Sequence, residues 1–155
     1  MRRSQREVTQ ISDLRSIIDS CEVCRIAMID NGIPYIVPMN FGYEIDGKTL
    51  TLYFHCAKVG RKLDILNQNP NVCFEMDCSH ELITAEVACE YSFKYQSIIG
   101  NGVVEFIDDL EEKQVALSHI MKKFSDKENF HFSEQAVNNI TVFEIKTSDF
   151  TGKKH

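Results

Sequence analysis

Two tight-turn signals in quick succession constrain this chain more than any other feature. Asp30-Asn31-Gly32 separates the apolar run Ile26-Ala27-Met28-Ile29 from Ile33-Pro34-Tyr35-Ile36. Asn-Gly accepts the positive φ that a two-residue hairpin needs at both turn positions. Asp46-Gly47 repeats the signal before residues 49–55, where Leu50, Leu52 and Phe54 alternate with polar or amphipathic neighbours. Consecutive hairpins commit the chain to antiparallel pairing, and no strand–helix–strand alternation follows that would build a doubly wound sheet.

The remaining pattern is consistent with this. Ile11, Leu14, Ile17 and Ile18 predict a helix over 11–20, and strands follow over 22–29, 33–44 and 49–55. Val59, Leu63 and Leu66 predict a helix over 59–68, stopped by Asn69-Pro70. Strands are expected over 72–85, 97–107 and 140–147, with an irregular stretch at 86–95. Asp109 with Glu112 reads as a capping pair. It opens a helix whose expected apolar face is Leu110, Leu117, Ile120, Met121 and Phe124. A short helical segment falls near 133–139, and residues 150–155 read as a tail. The expectation is a mostly β fold of one domain over 1–155. It is a small barrel of about six antiparallel strands with flanking helices.

Composition narrows the function classes. The 155 residues carry a net charge of -6, which disfavours a general nucleic-acid binder. With 43% hydrophobic residues the chain can build a core, yet no run is long enough to span a bilayer. The basic start, Met1-Arg2-Arg3, lacks an apolar stretch behind it, so no export signal is expected. A cytoplasmic protein with reduced thiols at Cys21, Cys24, Cys56, Cys73, Cys78 and Cys89 is the reading. Cys21-x-x-Cys24 sits where a helix ends and a strand begins, whereas redox pairs of that spacing open a helix. Cys73, Asp77, Cys78, His80 and Glu81 are close in sequence. Strand alternation should put Cys78 and His80 on one face and Cys73 and Asp77 on the other, so no metal site is expected.

The chemistry concentrates in Tyr53-Phe54-His55-Cys56-Ala57-Lys58-Val59-Gly60-Arg61-Lys62. A strand ending at His55, a small-residue turn and a helix start bring free backbone N–H groups together with three cations on an acidic protein. That arrangement suits a phosphate monoester or another small dianion; the same cations also fit the solvated face of a short helix. His55 beside them is either a catalytic or a structural histidine. Pro38 removes a ladder donor, so its strand is an edge or is locally irregular. Backbone groups at Pro38, Met39 and Asn40 could then meet a planar heteroaromatic ligand.

Four stretches, taken in order, carry a family resemblance. They are Val37-Pro38-Met39-Asn40-Phe41-Gly42-Tyr43; Leu52-Tyr53-Phe54-His55-x-Ala57-x-x-Gly60-Arg61-Lys62; Asn69-Pro70-Asn71-Val72-Cys73-Phe74; and Tyr95-x-Ser97-Ile98-Ile99-Gly100-x-Gly102. They resemble the pyridoxamine-phosphate-oxidase-like flavoproteins, most of all the nitroimidazole-resistance (Nim-type) branch, which the ending Phe150-Thr151-Gly152-Lys153-Lys154-His155 also fits. The resemblance implies a split-barrel homodimer with FMN at the subunit interface. It implies that Arg61 and Lys62, with the Ala57-Lys58 to Gly60 turn, hold the flavin phosphate. Phe54 and His55 would lie along the flavin, the backbone of Pro38, Met39, Asn40 and Phe41 would edge its ring, and Ser97, at its strand's start, would reach toward it. His55 is the implied catalytic or substrate-contacting residue.

Two departures qualify the resemblance. True pyridoxine-phosphate oxidases end in an Arg-rich substrate segment, which this chain lacks, so pyridoxal phosphate synthesis is not expected. Cys56 stands at an expected turn position where a Ser or Gly belongs, which would put a thiol near the flavin. The functional expectation is an FMN-dependent oxidoreductase using a nicotinamide or other donor and a small, nitroaromatic-type acceptor. The alternatives are a non-catalytic flavin carrier and a haem-binding barrel with His55, His80 or His155 as iron ligands.

Overall fold

The computed structural model describes residues 4–127 and 129–155. In chain order the elements are β1 (Glu7–Val8), α1 (Ile11–Ser20), β2 (Cys24–Asp30), β3 (Ile33–Met39), β4 (Gly42–Asp46), β5 (Thr49–Ala57), α2 (Arg61–Gln68), β6 (Asn71–Ile83), β7 (Ser92–Ile107), α3 (Leu110–Phe124), α4 (Glu134–Asn138), β8 (Ile140–Thr147) and β9 (Phe150–Lys154). The strands pair antiparallel in the order β3-β2-β6-β7-β8-β5-β4, with β9 on β7 and β1 on β9. This is the expected mostly β split barrel with flanking helices. Its sheet path is open, however, and among the described residues it has nine strands rather than about six.

The extra strands have identifiable origins. Residues 33–44 do not form one strand: the chain leaves β3 at Met39 and re-enters as β4 at Gly42, at the opposite end of the sheet path. Phe41, fully buried, anchors the crossing, and Asn40 Nδ2 donates to the Glu22 carbonyl at 3.0 Å. Pro38 lies on edge strand β3 in unbroken register with Arg25, so the edge reading holds and the irregular one does not. The tail at 150–154 is strand β9, and β7 begins at Ser92, which places Ser97 within the strand rather than at its start.

Both hairpins form. Asn31 and Gly32 have φ of 50° and 83°, a type I′ pattern. The second turn is Gly47-Lys48, with Gly47 alone at positive φ. Strand β7 belongs to both halves of the fold. Its first part pairs with β6 and β9, and its last residues, Val104 to Ile107, pair with β8.

The main core is the barrel interior, where Phe54 stacks on Phe143 at 5.2 Å and lies 6.4 Å from Phe41. A second cluster under α3 and α4 unites Tyr53, Ile107, Leu117, Ile120, Val137 and Val142. Helix α3 buries Ala116, Leu117 and Ile120, while Met121 and Phe124, expected on its apolar face, are exposed. The Asp109 side chain caps α3 by accepting from the Glu111 and Glu112 N–H groups.

Lys123 ties this helix to α1. Its Nζ donates to the Ile18 and Asp19 carbonyls at 2.6 and 3.2 Å and lies 4.6 Å from the centre of the Phe41 ring. An ammonium here adds a charged donor at the carbonyl end of α1, where the Ile18 carbonyl also accepts from the Cys21 N–H, and complements the helix dipole. Charge-assisted hydrogen bonds contribute about 1.5–3 kcal/mol. Lys123→Met is therefore expected to lower unfolding free energy by about 2 kcal/mol in urea titrations, with exposed Lys122→Met near wild type. Equal stability of the two variants would show that the contact holds nothing.

Candidate functional site

Strand β5 brings the candidate residues to one end of the fold. Leu52, Phe54 and Cys56 point inward and are buried, while His55 and Ala57 point outward and are exposed. The Phe54 ring is thus core, and only its backbone can face a ligand. Pairing of Ala57 with Ile140 carries β5 two residues past His55, so Cys56 is a buried strand residue and not a turn residue. Burial pushes its thiol pKa up against the opposing pull of the Lys62 ammonium.

The turn at 58–60 then leads into α2, two residues later than the periodicity suggests. Gly60 has φ 147°, and a Cβ added there would stand in open space. No side chain caps the helix; the Leu63 and Asp64 N–H groups fold back onto the Gly60 carbonyl. The first turn therefore exposes backbone donors beside Lys58, Arg61 and Lys62, an anion cradle by the usual criteria. Leu63, Ile65 and Leu66 anchor α2 in the core.

The local charge also acts on His55. Although the side chain reaches the surface, partial desolvation of the ring by its neighbours, and then the Lys62 ammonium, holds its pKa below the ordinary 6.5. The neutral ring therefore predominates at pH 7. The unfolded chain binds the proton more readily, so this group's contribution to stability is present above pH 6.5 and is lost as pH falls from there through the folded value. An NMR titration should find His55 titrating below 6.5. Lys62→Met should move it upward, and phosphate bound beside it should do the same. A pKa indifferent to Lys62 would separate the two residues.

The other expected residues are distributed differently. Met39 and Phe41 are buried by their side chains, whereas Pro38 and Asn40 are exposed, on and just beyond edge strand β3. Ser97 is buried in the β6–β7–β9 part of the sheet, in register with Asp77 and Lys153; β5 and α2 lie elsewhere along the path. Of the three histidines weighed as iron ligands, His80 Nε2 is 2.7 Å from Asp77 Oδ2 and the His155 ring is 2.7 Å from the Phe93 carbonyl. His80 reaches Asp77 because Ser79 has φ 58° and the register shifts between Cys78 and Glu81. That bulge overturns the alternation expected of a regular strand. Cys21 ends α1 and Cys24 opens β2, both buried, so the pair stands away from any helix N-terminus.

Sequence reasoning missed one participant. Arg61 Nε donates to Asp30 Oδ2 at 2.9 Å, Nη2 lies 2.8 Å from the same oxygen, and the guanidinium lies 4.4 Å from the Tyr35 ring centre. Nothing local marks Asp30, which reads as the first residue of a turn.

The comparisons with known proteins agree with this architecture. The family model described as pyridoxamine 5'-phosphate oxidase matches residues 11–154. A candidate 5-nitroimidazole antibiotic resistance protein from Bacteroides thetaiotaomicron is 38% identical, with a TM-score of 0.83, 96% of this chain covered and 86% of the other. The flavocytochrome Anf3 of Azotobacter vinelandii is 18% identical at a TM-score of 0.84, over 100% of this chain and 72% of the other. An FAD- and heme-binding protein of Mycobacterium smegmatis is also 18% identical at 0.84, over 96% and 73%. These last two share the fold. No curated protein matches. With a family model spanning nearly its whole length and a 38% identical relative over 96% of it, the chain belongs to the pyridoxamine 5'-phosphate oxidase family.

Proposed function

We propose that this protein is an FMN-dependent oxidoreductase that passes electrons from a nicotinamide donor to a small acceptor such as a nitroaromatic compound. The observation that carries the reading is the uncapped start of α2, where Gly60 at φ 147° leaves open space beside Arg61 and Lys62. The donor set fits a phosphate monoester. Arg offers a planar fork, Lys a point charge, and the helix start its N–H groups. In this reading Lys58, Gly60, Arg61 and Lys62 hold the flavin phosphate. Ala57 and the backbone of Pro38, Met39, Asn40, Phe41 and Phe54 border the ring, and neutral His55 contacts the substrate. When bound, FMN supplies the redox centre, and the protein supplies binding, orientation and electrostatics.

The reading includes a homodimer. Ile29 on β2, Ile36 on β3 and Ile99 and Val103 on β7 point outward and are 45–58% exposed. An apolar patch of this kind marks an association surface. A cytoplasmic location accords with six free cysteines; among the described residues no helix is long and apolar enough to cross a membrane.

The test is the absorption spectrum of the purified protein, the mass of any cofactor released by heat, and reduction by NADH or NADPH in a stopped-flow cell. A flavin spectrum with FMN mass and prompt reduction supports the proposal. FMN without reduction leaves a flavin carrier, and a Soret band transfers the site to haem. A colourless protein that takes up no added FMN removes the cofactor assignment.

A further inference from the structure

The β2–β3 hairpin reaches the anion cradle through three of its own residues. Asp30 Oδ2 accepts from Arg61 Nε and pairs with its Nη2, while Asp30 Oδ1 accepts from Asn31 Nδ2 at 2.9 Å. The carboxylate is thereby braced by the turn it belongs to. Tyr35, next to the turn on β3, supports the flat face of the guanidinium. Arginine has five N–H donors. The Nε–H goes to Asp30 and Nη2 sits against the same oxygen, so the side-on edge is engaged and both Nη1 N–H groups are left. Asp30 holds the side-on edge and leaves the end-on Nη1–Nη2 fork available to a ligand. Lys58 and Lys62 form no ion pair among the described residues, so Arg61 is the one cation of the cradle with a fixed orientation.

We propose that Asp30 and Tyr35 are positioning residues of the cradle, setting Arg61 so that its end-on fork meets a phosphate monoester, and thereby raising the protein's preference for FMN over riboflavin. This rests on the reading of the α2 start as the phosphate site. The physical reason is preorganisation: a long side chain immobilised only on binding forfeits about 0.5–1.5 kcal/mol, whereas one already held forfeits little.

The experiment measures dissociation constants of FMN and riboflavin, by quenching of flavin fluorescence, for wild type, Asp30→Asn, Tyr35→Leu, Tyr35→Phe and the double variant Arg61→Ala with Lys62→Ala. Asp30→Asn should weaken FMN about two- to twelvefold, the equivalent of that ordering free energy, with riboflavin unchanged. Tyr35→Leu should lower the FMN-to-riboflavin preference in the same direction, and Tyr35→Phe, which keeps the ring, should restore it. FMN binding as tight or tighter in Asp30→Asn overturns the proposal and makes Asp30 a competitor. If the double variant keeps its preference for FMN, the phosphate site itself is wrong and the inference falls with it. Should Asp30→Asn not fold, the Tyr35 pair alone decides, since a purely structural ring would not change the ratio of two nearly identical ligands.

Discussion

Replacing Arg61 and Lys62 together by alanine is expected to weaken FMN binding at least a hundredfold while the protein stays folded. Charge-assisted contacts to an anion contribute about 1.5–3 kcal/mol each, and two of them exceed the 2.8 kcal/mol, about, that separates a hundredfold. The fold survives because α2 is held by Leu63, Ile65 and Leu66. The ion pair lost with Arg61 is half exposed, a kind worth about 0–1 kcal/mol. Riboflavin serves as the internal control, since it lacks the phosphate and should bind the variant as it binds wild type. Undiminished FMN affinity would relocate the cofactor's anion, and equal losses for both flavins would mean that the substitutions had damaged the ring site.

Gly42→Ala is expected to be the most damaging single-methyl change in the protein. A Cβ at Gly42 would meet the backbone of α3, with the His119 carbonyl oxygen 2.7 Å away and Ile120 N closer still. A flexible neighbour could rotate aside, but a helix backbone has to move as a body. That movement would drag Ala116, Leu117 and Ile120 out of their packing. Overpacking in a tight core costs about 1–3 kcal/mol and occasionally more, and an unyielding backbone puts this site at about 3 kcal/mol or beyond. Gly47→Ala is the counterpart: nothing lies near its Cβ, but its φ of 56° is unfavourable for a side chain. It should lose about 1 kcal/mol. The chain has no tryptophan, so far-UV circular dichroism in urea is the suitable readout. Two variants of equal stability would refute the steric account.

The contrast between Gly32 and Gly42 shows what was legible in the sequence. Gly32 follows Asn31 at a turn whose signal lies in adjacent residues, and the hairpin forms there. Gly42 is demanded by a helix some eighty residues away in the chain, and no local pattern records that. The break between β3 and β4 was hidden for the same reason. Residues 33–44 read as one strand, and only burial of Phe41 among distant rings divides them. Strand β9 is short and partly polar, and it exists because β7 offers it a free edge.

The cradle follows the same rule. Arg61 and Lys62 are marked by cations at a helix start, so local reasoning found them. Cys56 reads locally as a turn residue because the pairing that extends β5, Ala57 with Ile140, is long-range. Asp30 carries no local mark of its role, because a turn residue has an adequate local explanation and its partner lies 31 positions onward.

The sharing of β7 between the two halves of the sheet has a consequence for how the molecule breathes. Peripheral strands open by fraying, each with its own low free energy, and release their amides to solvent without disturbing the rest. The middle of β7, from Ile98 to Val104, cannot open that way, because it borders β6 and β9 on one stretch and meets β8 on the next. Separating it dismantles both halves at once. Its amides should therefore exchange with deuterium only through global unfolding, while those of edge strands β3 and β4 exchange long before, so that one strand reports the stability of the whole chain.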